Sequence, residues 1–148
     1  MRYRSCRLGK LILCIDDDEA ILSYEKALLE RSGYSVMTAA SPQQGLELAS
    51  TRKFDAVLLD YEMPGMNSID VAFEIKRVRP ELVVILLSGS EVPVYALALV
   101  DAFILKLEAS RQLLPMIGTL CSRTRDSGQQ RLSASSLASV VKLGFQRA

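Results

Sequence analysis

Residues 11–21 read LILCIDDDEAI: five apolar residues run straight into four acids, Asp16, Asp17, Asp18 and Glu19. Five apolar residues stopped by a polar cluster have the length of a strand buried on both faces. The acids then fall where that strand ends and a helix begins. Runs of the same kind return at 35–39 (SVMTA), 56–59 (AVLL), 82–87 (LVVILL) and 102–105 (AFIL). Helical spacing fills the gaps. Over 20–32, Ile21, Leu22, Leu28 and Leu29 form an apolar stripe, with Glu25, Lys26, Glu30 and Arg31 assigned to the opposite face and Gly33 at the C-cap. Ser41-Pro42 opens a second helix, Ser68–Val78 forms a third before Pro80, and a last helix spans Glu108 to about Arg123. In that last helix Leu113, Leu114, Ile117 and Leu120 point inward and Pro115 is a blemish. Near-continuous apolar strands alternating with helices predict a doubly wound α/β domain, a five-stranded parallel sheet covered on both faces.

The chain has 148 residues, 49% hydrophobic and 24% charged, enough for one soluble domain with a full core. The net charge of +1 is unevenly spread. Residues 1–10 carry four bases and no acid, residues 11–120 nine bases and sixteen acids, and residues 121–148 five bases and one acid. A body at −7 argues against direct contact with nucleic acid. No apolar run reaches membrane-spanning length, so no membrane insertion is expected. The short apolar part behind the basic start ends in acids and does not make a signal peptide. Cys6, Cys14 and Cys121 are scattered and lack C-x-x-C spacing, as in a reduced, cytoplasmic protein. There is no histidine, so a site must work with carboxylates, hydroxyls and lysines.

In doubly wound sheets ligands bind at the carboxyl ends of the strands, at the switch point of chain order. With strand order 2-1-3-4-5, Asp16 and Asp17 at the end of strand 1 meet Asp60 at the end of strand 3. Three carboxylates so close call for a cation, and an all-oxygen set suits Mg²⁺, with Mn²⁺ as the alternative. Strand 4 brings Ser88 to the same rim and strand 5 brings Lys106. A carboxylate beside a hydroxyl and an ammonium suits a phosphoryl group, with Asp60 as nucleophile. Asp18 and Glu19 are explained by the helix N-terminus alone.

Together with "LLDYEMPGMNSID" (58–70), the ordered set Asp16-Asp17, Asp60, Ser88 and Lys106 resembles the receiver domain of two-component response regulators over about residues 10–124. The resemblance implies a flavodoxin-like fold with Asp60 as phosphoacceptor. It makes Asp17 a direct Mg²⁺ ligand, Asp16 a ligand through water, and Glu62 a ligand through its backbone carbonyl. Ser88 becomes the hydroxyl switch, Lys106 the phosphate contact and Phe103 the aromatic switch residue. Such a domain is not a conventional enzyme, although it promotes its own phosphorylation and dephosphorylation. The implied donor is a histidine kinase or phosphotransfer protein, and the output is contact with an unidentified downstream protein.

Two departures from the family pattern stand out. Leu107 follows Lys106 where receivers usually have proline after a cis bond, and a non-proline cis bond costs about 3 kcal/mol. Lys106 is therefore expected to approach the site differently. Second, Lys106 comes only eighteen residues after Ser88, so the fourth helix is expected to be shortened by about one turn, with Pro93 at its start. The usual dimer through the fourth helix, fifth strand and fifth helix is expected to be absent or rearranged. Residues 1–9 read as a basic extension, 10–124 as the receiver and 125–148 as a Ser-rich basic tail. In that tail Leu137, Val140, Val141 and Phe145 have the spacing of a short amphipathic helix, and its length leaves no room for a helix-turn-helix, as in a stand-alone receiver. The competing readings are a pseudo-receiver serving as a phosphorylation-independent interaction module, and a phosphatase of the haloacid dehalogenase type. The latter needs an Asp two residues after the nucleophile, where this chain has Glu62, and a cap domain that is not visible.

Overall fold

A computed structural model describes residues 9–126. Five parallel strands, β1 (Leu11–Ile15), β2 (Ser35–Ala39), β3 (Ala56–Asp60), β4 (Val83–Ser88) and β5 (Ala102–Leu105), form one sheet in the order β2-β1-β3-β4-β5. Around it pack α1 (Glu19–Arg31), α2 (Pro42–Thr51), α3 (Ser68–Val78), α4 (Val94–Leu97) and α5 (Ala109–Asp126), with a 3₁₀ turn at Lys106–Glu108. This is the expected doubly wound fold. Cys6 and the amphipathic stretch at 137–145 lie outside the described residues, as does most of the basic extension and tail.

Alternation along each strand divides the core into two layers. Ile12, Cys14, Leu58, Ile85 and Ile104 pack with Leu22 and Leu29 of α1 and Leu113 and Ile117 of α5. Leu13, Ile15, Val57, Leu59, Val84 and Leu86 face Ala49 of α2 and Val71, Ala72 and Ile75 of α3. Burying these branched side chains, each worth about 1.5–3 kcal/mol, drives the sheet together. Gly45 lets α2 lie against β1, because a Cβ there would come within 2.4 Å of Ile15 Cδ1. Gly33, at φ +96°, ends α1 in a conformation that L side chains rarely adopt.

Glu25 is not on the outer face of α1: only 5% exposed, it stands between Leu22 and Leu29 on the buried side. The spacing 22-25-29 is i, i+3, i+7, which places all three on one stripe whatever their polarity. The shortened fourth helix is as expected, a single turn with Pro93 at its N-cap. Pro115 sits inside α5 without ending it.

Candidate functional site

β1 pairs with β2 on one side and β3 on the other, which makes the β1/β3 edge the switch point. The register sets Ile15 beside Leu59, so Asp16 and Asp60, each the next residue in its strand direction, emerge side by side. Asp16 is 1% exposed and Asp60 2%, whereas Asp17 faces solvent. One carboxylate oxygen from each of the three lies within 4.8 Å of the others. Asp18 turns away, capping α1 by accepting from the N–H of Ala20 (2.9 Å) and Ile21 (3.4 Å). The acids that open the helix thus divide by task.

Asp16 Oδ1 accepts from the Asp18 N–H at 2.9 Å. Its Oδ2 is buried without a hydrogen-bond partner, 3.7 Å from Lys106 Nζ. An unsatisfied buried carboxylate oxygen beside two other acids is what an oxygen-seeking cation would relieve, so the donor set fits Mg²⁺. Burial is the largest influence on the Asp16 carboxyl and pushes it up to about 6. The Asp18 N–H and Lys106 pull it down, while Asp60 and Asp17 push it up.

Lys106 Nζ reaches Asp60 Oδ1 at 2.9 Å, and the Glu62 N–H donates to the same oxygen at 3.2 Å. Partial burial disfavours the ammonium, but its hydrogen bond to Asp60 and the charges of Asp60, Asp16 and Glu62 outweigh this and raise its pKa. Among the described residues every peptide bond is trans, including Lys106–Leu107, and Leu107 is left 90% exposed. Lys106 begins the 3₁₀ turn and enters the acid cluster from there.

Ser88, at the end of β4, is fully buried, and its hydroxyl donates to Glu62 Oε1 at 3.3 Å. Phe103 is partly buried against the layer that holds Ala96 and Val100. In the sequence Ser68 marks only the start of a helix. Its buried hydroxyl lies 2.6 Å from the Asp60 carbonyl and 2.9 Å from that of Tyr61 and donates its one proton between them, tying the loop after β3 to α3. The sequence signal for it was slight, a hydroxyl at a helix start eight residues after a strand-end acid. Glu25 was missed as a neighbour of the site: it hydrogen-bonds the Cys14 thiol and feels the charge of Asp16.

Residues 12–117 match the response regulator receiver domain. Over 123 residues the chain is 34% identical to the transcriptional regulatory protein CpxR of Escherichia coli K12, covering 81% of this chain and 53% of CpxR. The chain spans about half or less of the length of the curated relatives it matches. Its fold superposes on a CheY-like receiver domain protein from Methanospirillum hungatei with a TM-score of 0.75, at 29% identity and covering 80% of this chain and 98% of that one. TrrA of Thermotoga maritima, solved with Mg²⁺-BeF, gives a TM-score of 0.72 at 28% identity over 75% of this chain and 98% of TrrA. A second TrrA structure, in complex with the histidine kinase ThkA, gives 0.70 at 28% identity, over 75% and 97% of the two chains.

Proposed function

The chain belongs to the response regulator receiver family, and from that premise we propose that it accepts a phosphoryl group on Asp60 and signals through phosphorylation-dependent protein contact. The observation that carries this is Asp60 itself: a buried carboxylate, held by Lys106 and the Glu62 N–H through one oxygen, in a cluster with two more acids. The donor is a phosphohistidine on a histidine kinase or phosphotransfer protein, by analogy with the TrrA–ThkA complex. An Asp60 oxygen attacks phosphorus as the P–N bond breaks, and the imidazole leaves with its electron pair and takes up a proton. Later attack by water on phosphorus returns the carboxylate and releases inorganic phosphate.

Asp16, Asp17 and Asp60, with the Glu62 carbonyl, would hold Mg²⁺, or Mn²⁺, which supplies positive charge against the phosphoryl oxygens. Lys106 remains a cation at neutral pH and balances charge from the opposite side. Ser88 is the donor for a phosphoryl oxygen, and Phe103 follows its movement. Residues 10–124 form the receiver unit in this reading, acting in the cytoplasm without touching nucleic acid. The intact mass after incubation with acetyl phosphate and Mg²⁺ tests it. Wild type should gain one phosphoryl group and Asp60→Asn none. A folded wild type that gains nothing would favour the phosphorylation-independent interaction module instead.

A further inference from the structure

The loop after β4 and the loop after β3 are joined by three side chains. Glu62 Oε1 accepts from Ser88 Oγ and from Ser90 Oγ, each at 3.3 Å, and the Ser90 N–H donates to Ser88 Oγ at 3.2 Å. Gly89 lies between the two serines, and a Cβ there would touch the Glu62 carboxylate at 3.7 Å, so the backbone passes close beside it. A serine hydroxyl has a single proton to donate. While the Ser88 hydroxyl donates to Glu62, it cannot donate to a phosphoryl oxygen on Asp60.

We propose that the Glu62 carboxylate is a positioning residue that holds the Ser88 hydroxyl in the unphosphorylated chain and competes with the phosphoryl group for it. The inference rests on Asp60 being the phosphoacceptor. Ser90 strengthens the hold by fixing the same Glu62 oxygen from a second direction. Phosphorylation then requires one swap: Ser88 releases Glu62, which is exposed and passes to water, and donates to the phosphoryl oxygen. Glu62 thus acts through Ser88, separately from any use of its backbone carbonyl, which every substitution at this position retains.

The test is the rate of phosphorylation by acetyl phosphate with Mg²⁺, followed by intact mass, in a double-mutant cycle. Glu62→Ala should react about fivefold faster than wild type, the size of one net hydrogen bond. Glu62→Gln keeps a carbonyl acceptor for Ser88 and should stay within about twofold. In the Ser88→Ala background, Glu62→Ala should change nothing. In the metal-free protein, Glu62→Ala should also shift the Ser88 and Ser90 amide resonances and speed exchange of the Ser90 N–H, which Glu62→Gln should leave nearly unmoved. Equal acceleration with and without Ser88, or a Glu62→Gln rate matching Glu62→Ala, would mean that Glu62 acts by charge alone and would overturn the proposal. A wild type that is phosphorylated at the same rate as Glu62→Ala overturns it while leaving Asp60 as acceptor. No phosphorylation of either protein overturns the reading beneath it as well.

Discussion

Asp16 is a side chain whose burial costs stability, a cost that a bound cation would offset. Its carboxyl is buried, one oxygen is unsatisfied, and its pKa is raised to about 6 in the folded state. The unfolded chain has released this proton by about pH 5, whereas the folded chain still holds it, so folding loses stability as pH rises from about 4 to 6. Asp16→Asn removes that penalty while keeping an oxygen for the Asp18 N–H. Its melting temperature in EDTA at pH 7.5 should exceed wild type by a few degrees. Adding Mg²⁺ should raise the melting temperature of wild type and leave Asp16→Asn nearly unchanged, since only wild type offers the full carboxylate set. A thermal scan with and without metal checks both, and a lower melting temperature for Asp16→Asn in EDTA would show that the acid contributes to folding. That Asp16, Asp17, Asp60 and Lys106 come together was legible because each stands where an apolar strand stops, a position visible in one dimension, and Ser88 ends its strand in the same way. The Glu62 side chain was not, because its partner Ser88 is 26 residues away and only the folded loops bring them together.

Glu25 belongs to the element scale, since what matters is the face of α1 on which it sits. Assigned by polarity, it goes to solvent; assigned by spacing, it goes inside, and spacing decides. Strand boundaries were readable to within a residue because runs such as AVLLD and VVILLS are buried at every position, whereas a helix buries only a stripe and one polar residue within it is easily misplaced. Burial is the main reason that the Glu25 carboxyl is pushed up to about 8, with Asp16 adding to it and the Cys14 thiol opposing. Folded chains therefore keep a proton on Glu25 that unfolded chains release near pH 4.5, and stability declines from there to about pH 8 before levelling. Glu25→Gln should be more stable than wild type at pH 8, by roughly 1 kcal/mol or more, with the gap closing toward pH 5. Urea titrations at the two pH values measure this. A gap independent of pH would mean that Glu25 is ionised in the fold and paired.

For the molecule as a whole, the shortened α4 alters the surface that the domain presents to others. α4 has four residues, about 6 Å of helix, and β5 beside it also has four. Val94 and Tyr95 stand 76% and 65% exposed on that turn, with Leu107 at 90% after β5. Stable pairing usually buries about 800 Å² per partner across a continuous face. A one-turn helix cannot present the ridges of a full helix against a second copy, and three separate apolar side chains do not replace them. With Mg²⁺ and beryllofluoride added to imitate the phosphorylated state, light scattering at tens of micromolar should give a mass near the 16.3 kDa of one chain. If the mass doubles instead, Val94→Asp and Tyr95→Ser decide between two surfaces. Loss of the dimer would place the contact on the α4 turn despite its length, and persistence would place it elsewhere on the molecule. A single-chain mass in both states would mean that phosphorylation is not read by pairing of two copies, which leaves exposed Val94 and Tyr95 available for another contact.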